Sequence, residues 1–288
     1  MTASDDVLTY VYATAPLTAG LRDVLKGLRG IHGSPVVCVT APPGPGDGPS
    51  LAFATSHVLR RDFDESALKK HFEDLEWLED VARAHHEVVQ ALSAHTTVLP
   101  LRMATVYQDD DRAGQALAEQ YDAFAERLAQ LTAHTEFGVK IFLAPLAPST
   151  SPAGPAPGTG TGTPATTTPG KGKAYLQSRR AQHQAQEALY GQAQRAAETV
   201  GAVASRYASQ HVRHPAQRGA LTGPAENVLN DAYLVPNAFA EAFRTAVEEA
   251  VGVFEGIHVE VTGPWAPYSF AMPPPEHRPT ADDEERGR

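Results

Sequence analysis

"EFGVKIFLA", residues 136–144, is a β-rich run with a helical segment before it and a tract of Pro, Gly, Ser and Thr after it. It reads as a strand, and it opens the second of two similar series of elements. Upstream, "VLTYVYAT" (7–14) is a strand, and residues 18–29 place Leu21, Val24, Leu25 and Leu28 at helical spacing. "PVVCVT" (35–40) and "LAFATSHV" (51–58) are two further strands, joined by the turn-rich "APPGPGDGPS". A long helix follows, with Asp64 or Ser66 as its cap and Leu68, Phe72, Leu75, Ala82, His86 and Val89 along one face. "TTVLPLR" (96–102) returns as a fourth strand, which completes β-α-β-β-α-β.

Residues 109–133 read as one connecting helix, with Asp109, Asp110 and Asp111 at the end where the helix dipole favours negative charge. After residue 144, the tract from 145 to 172 has almost no large apolar residue and cannot offset the entropy of ordering. It is expected to be a disordered insertion. A helix is expected from about 172 to 211, with Leu189, Ala193, Ala196, Val200, Val203 and Tyr207 in a narrow apolar stripe. So long a helix leaves a length over for another partner, including a second copy of the chain. A weak strand near 216–223, a strand at 226–235, a helix at 237–250 and a strand at 256–262 repeat the first order. The expected fold is therefore α+β, two βαββαβ domains with long helices. Its divisions are an N-terminal domain (1–105), a connecting helix (106–135), a C-terminal domain (136–271) and a disordered acidic tail (272–288).

Composition narrows the functions. The chain has 288 residues, 42% hydrophobic and 20% charged, which is ordinary for a soluble globular protein. No apolar run approaches the ~20 residues that span a bilayer, and the acidic N-terminus is no secretory signal. A net charge of -10 gives no basic excess for nucleic acid. One cysteine, Cys38 in an apolar run, fits a buried thiol in a reducing cytoplasm.

Tests for chemistry return nothing. Among twelve histidines, His85 and His86 are adjacent on a helix and point about 100° apart, so they cannot chelate one ion together. His86 falls on the apolar stripe and reads as a core histidine. No nucleophile elbow, calcium loop or C-x-x-C is present. "PGKGKAY" puts Lys171 and Lys173 before a helix, but no Ser or Thr follows as a phosphate loop requires. With Arg179 and Arg180 these lysines oppose the helix dipole, which leaves a solvated face or a site for an acidic partner. No metal, cofactor or catalytic set is expected.

The last ordered run is "VEVTGPWAPYSFA" (259–271). Val259 and Val261 are expected to face the core of an edge or penultimate strand, which Gly263 and Pro264 end. Trp265 and Phe270 are expected to pack back over the sheet, with Tyr268 hydrogen-bonding at the rim.

Taken with "YVYA", "TTVLPLRMATVYQDDD", "FGVKIFLA", "GKAYLQSRRAQ" and "NDAYLV", this run makes the chain resemble the gas vesicle protein F/L family. Met103-Ala104 stands where the family pattern leads one to expect Phe-Gly. The resemblance implies a two-domain α+β architecture with a ferredoxin-like C-terminal part. It implies an accessory or minor structural protein of gas vesicle formation, not an enzyme, that contacts the small hydrophobic shell subunit and other gas vesicle accessory proteins in the cytoplasm or at the vesicle. The residues assigned to partner contact are Trp265, Tyr268 and Phe270, with Tyr175, Arg179, Arg180 and Arg102. The competing reading is an α+β ligand-binding or regulatory module without an assembly role.

Overall fold

The computed structural model describes residues 6–41, 49–144, 171–217, 225–252 and 254–271, with the side chains of 171–175 and 251 outside the described set. The chain forms two compact units. One is drawn from Met1–Phe137, Leu234–Ala240 and Gly263–Arg288, the other from Gly138–Tyr233 and Glu241–Thr262.

In the first unit, β1 (Val7–Pro16) is the central strand. Helix α1 (Ala19–Gly27), capped by the Thr18 side chain, leads to β2 (Val37–Thr40) and β3 (Leu51–Leu59). Three helices follow, α2 (Arg60–Phe63), α3 (Glu65–His71) and α4 (Leu75–Ser93), before the short strands β4 (Leu99–Pro100) and β5 (Val106–Tyr107). The strands lie in the order β2-β3-β1-β4, antiparallel throughout, with β5 also on β1. The single helix expected after Asp64 is broken. Asp74 accepts from the Glu76 and Trp77 amides and starts α4 afresh, so the apolar stripe shifts phase. Val81, His85, Val88, Val89 and Leu92 face the core, while Phe72 is 51% and Leu75 79% exposed. The buried histidine is thus His85 and not His86.

Alternation along β1 puts its two tyrosines, two residues apart, on one core face. Leu8 and Tyr10 alternate inward, and a bulge between Val11 and Ala13 then adds Tyr12 as an extra residue. The parity changes there, so Ala13 and Ala15 continue the same face. Tyr12 uses its hydroxyl fully: it bonds Ser56 Oγ at 2.5 Å and accepts from the Ile31 amide at 2.9 Å. Gly30 makes room for it, since a Cβ there would stand 2.0 Å from the Tyr12 oxygen.

The helix expected over 109–133 is two, α5 (Asp110–Glu119) and α6 (Tyr121–Leu131), meeting at Gln120; Asp109 caps the first as expected. Then come β6 (His134–Leu143), α7 (Lys171–Ala204), β7 (Gln210–Arg213), β8 (Glu226–Pro236), α8 (Ala240–Val251), β9 (Ile257–Trp265) and α9 (Tyr268–Ala271). Helix α7 ends seven residues before the expected stop. His211 belongs instead to β7, and no strand begins among the described residues of 216–223. The remainder of that expected strand, and all but the last two residues of the insertion at 145–172, lie outside the described residues.

The four strands of this second series lie in the order β7-β8-β6-β9. Numbered within each half, both sheets read 2-3-1-4, so the ferredoxin-like arrangement expected of the C-terminal half holds for both. The α7 stripe is buried at Ala193, Ala196, Val200 and Ala204, whereas residues 176–188 are exposed on every side. A carboxylate sits inside the second unit. Asp231 on β8, its side chain 1% exposed, takes both oxygens to side chains on β7: His211 at 2.9 Å and Arg213 at 3.0 and 3.1 Å.

One strained residue gives a direct test. Ala104 has φ 63°, in the left-handed region where a Cβ is unfavourable, and its amide donates to Tyr10 Oη at 3.1 Å. Ala104→Gly should keep that bond and stabilise the fold by about 1 kcal/mol. Thermal unfolding should rise by about 2–4 °C; a fall would show that the alanine methyl is packed to advantage.

Candidate functional site

The closing run packs with the first unit, although its place in the sequence puts it at the end of the C-terminal series. Strand β9 does not stop at Gly263: it carries on through Pro264 to Trp265, on an edge where proline's missing N–H costs no ladder bond. Gly263 has φ 118°, and a Cβ there would meet the Glu136 carbonyl at 2.7 Å, so only glycine lets this backbone pass β6. Val259 and Val261 are half-buried, like Glu260 and Thr262 that alternate with them, so the expected inward-outward alternation is absent.

Three side-chain bonds lock the backbone around Trp265. Gln90 on α4 donates from Nε2 to the Pro264 carbonyl (3.1 Å), and its Oε1 accepts from the Ala266 amide (3.2 Å). Thr135 Oγ1 donates to the Trp265 carbonyl at 3.1 Å. The indole is left 38% exposed, edge-on to His86 with centroids 5.4 Å apart. It was expected to close the core, but the bonds on either side hold it outward. Phe270, at 3% exposure, does fill the core.

Two separate buried polar groupings lie in the same unit. Tyr10 Oη accepts from the Ala104 amide at 3.1 Å and shares a hydrogen bond of 2.9 Å with His85 Nδ1. Burial pushes the His85 pKa down to about 4; the Leu101 backbone opposes this and His86 adds to it. Glu136 on β6 accepts from the Ser269 amide at 2.8 Å and its hydroxyl at 2.7 Å, which anchors α9. Burial raises its pKa, against those two bonds. Tyr268 was expected to hydrogen-bond at the rim. Its ring stacks near His86 instead, and its hydroxyl is buried without a partner among the described residues. Burial raises its pKa as well.

Next to Trp265 is a cleft of about 360 Å³, walled on its apolar side by Ala94, Val98, Leu131, Ala240, Trp265 and Pro267. Of the other residues assigned to contact, Arg102 is exposed in the first unit, and Arg179 and Arg180 are exposed on α7 in the second. The Tyr175 side chain lies outside the described residues. Gln90, Thr135 and Glu136 carry no motif and sit about 130 to 180 positions from what they hold, so only the folded chain reveals them. No helix among the described residues is long and apolar enough to cross a membrane.

The family model for gas vesicle synthesis protein GvpL/GvpF matches residues 8–272, from β1 to just past α9. The chain belongs to the GvpL/GvpF family. Gas vesicle protein L of a Streptomyces species (strain CB03234) is 38% identical over 271 residues, 93% of this chain and 94% of that one. Gas vesicle protein L1 of Halobacterium salinarum is 25% identical over 209 residues, 69% and 73% of the two chains. The crystal structure of GvpF from Anabaena sp. PCC7120 matches with TM-score 0.57 at 18% identity, covering 93% of this chain and 97% of its own. GvpF from Microcystis aeruginosa gives 0.55 at 18% identity, with 92% and 99% covered. These two show the shared fold. Membership indicates a role in gas vesicle formation, and GvpL/GvpF is not an enzyme family.

The buried imidazole makes stability depend on pH. Unfolded, His85 takes a proton near 6.5; folded, only near 4. As pH falls through that window the unfolded chain binds the extra proton, so stability drops by about 3 kcal/mol. Glu136, pushed upward, contributes with the opposite sign, so the comparison with a variant isolates the histidine. His85→Gln should flatten the acid limb of denaturant-unfolding stability between pH 6.5 and 4; equal slopes would contradict a buried neutral imidazole.

Proposed function

We propose that this chain acts in gas vesicle formation as a non-enzymatic assembly protein that binds the small hydrophobic shell subunit and holds it for incorporation. The observation that carries this reading is Trp265, whose large aromatic side chain is left 38% exposed while Gln90 and Thr135 hold the backbone on either side of it. A rigid exposed indole loses little freedom on binding, and tryptophan is the residue type most enriched among binding hot spots. An apolar subunit that polymerises needs its sticky surface covered until it reaches the growing shell. The remaining contacts assigned from sequence, Arg102, Tyr175, Arg179 and Arg180, are proposed as peripheral ones. Tyr268, which stacks near His86, and Phe270, buried in the core, are proposed to act by fixing the same run from within.

The test is co-expression of the full chain with the shell subunit of the same host, followed by affinity recovery. Trp265→Ala should fold normally and recover at least tenfold less shell subunit, with Trp265→Phe in between. Equal recovery by Trp265→Ala would overturn the indole as the contact.

A further inference from the structure

The cleft beside Trp265 differs from the surface around it in one respect: none of its fifteen lining residues is Asp, Glu, Lys or Arg. One residue in five of the whole chain is charged, and the net charge is -10. A cleft of similar size elsewhere in the same unit, lined by Leu101 and Phe124, includes both Glu126 and Arg127. Four of the polar side chains that reach the cleft already hold partners. The Gln90 amide and the Thr135 hydroxyl hold the backbone around Trp265, the Ser93 hydroxyl donates to the Gln90 carbonyl, and His134 Nδ1 bonds the Thr132 carbonyl at 2.8 Å. A site for an ionic ligand would offer a countercharge. This one offers apolar walls and neutral side chains, Thr96, Thr97 and Asn237 among them. Phe239, in the turn between the lining residues Asn237 and Ala240, adds a second aromatic ring 49% exposed.

On the reading of the chain as a shell-subunit binder, we infer that this cleft is the docking point. Its occupant is an uncharged segment of the shell subunit, which inserts a few aliphatic or aromatic side chains against Trp265, Val98 and Leu131. At about 360 Å³ the cleft is at the small end of ligand-sized sites, so it seats side chains and not a whole helix. Any formal charge on that segment would be desolvated there without a counter-ion, and is selected against. The cleft therefore sets the partner's chemistry, and Trp265 supplies the anchor.

The experiment uses the full chain co-expressed with the shell subunit, with a benzophenone amino acid at position 97 in the cleft or, as control, at position 69 on exposed α3. Position 97 should cross-link to the shell subunit and position 69 should not. In parallel, Thr97→Asp should lower recovery at least tenfold. Ala94→Lys, whose cation suits the C-terminal end of α4, should do the same if the aspartate variant fails to fold. Undiminished recovery by a folded charged variant, or cross-links from position 97 only to a second copy of this chain, would overturn the cleft while shell binding stood. Failure of the wild-type chain to recover shell subunit would overturn shell binding itself.

Discussion

The extra residue in β1 is the constraint from which the first unit is built. Because the bulge at Tyr12 changes the parity of the strand, Tyr10, Tyr12, Ala13 and Ala15 all reach one core. Two tyrosines side by side in an apolar interior need partners for both hydroxyls, and the chain supplies them from distant places. Ser56 and the Ile31 amide serve Tyr12; His85 and the Ala104 amide serve Tyr10. An unpaired buried hydroxyl would cost about 1–3 kcal/mol, so these pairings also fix where α4 and the loop before β5 can lie. Helix α4 in turn carries Gln90, which positions the indole. The partly exposed aromatic is thus tied to the middle of the first strand through α4, which carries both His85 and Gln90.

The two halves share a strand order without a residue-level repeat. The βαββαβ series with antiparallel pairing has few compact solutions, and short connections with the usual crossover hand leave this order as a natural one. The candidate site is not built by that order. It rests on the departures from regularity: an edge strand that runs on through Pro264, a glycine crossing β6, and a carboxylate on β6 that ties down the last turn.

Element order was legible in the residues because strands and helices announce themselves by period, and the sequence of the family's closing run was distinctive enough to suggest its kin. Phase and boundaries were less so. A capping aspartate at 74 resets a helical stripe, and no count of apolar spacing that runs through it can separate His85 from His86. Gln120 interrupts a helix with no proline or glycine to signal it. β7 was hidden because "SQHVR" is polar and follows a helix whose apolar spacing continues in the sequence to Tyr207. At the candidate site the aromatics could be named in advance, but their exposure could not. Whether Trp265 faces in or out is decided by Gln90 and Thr135, and nothing local to the tryptophan records them.

Asp231 carries a consequence for the opposite edge of the second sheet. β7 has four residues, three of them exposed, and so short an edge would pair almost as well one position out of step. Its two long side chains that reach inward, however, sit on alternate residues, His211 and Arg213, and meet the same buried carboxylate. A slip by one residue would turn both to the opposite face and leave the acid alone in the interior. The carboxylate therefore works as a key cut for one alignment. It holds in place a strand too small to hold itself, and it makes the edge unwelcoming to any foreign strand lacking the matching charges.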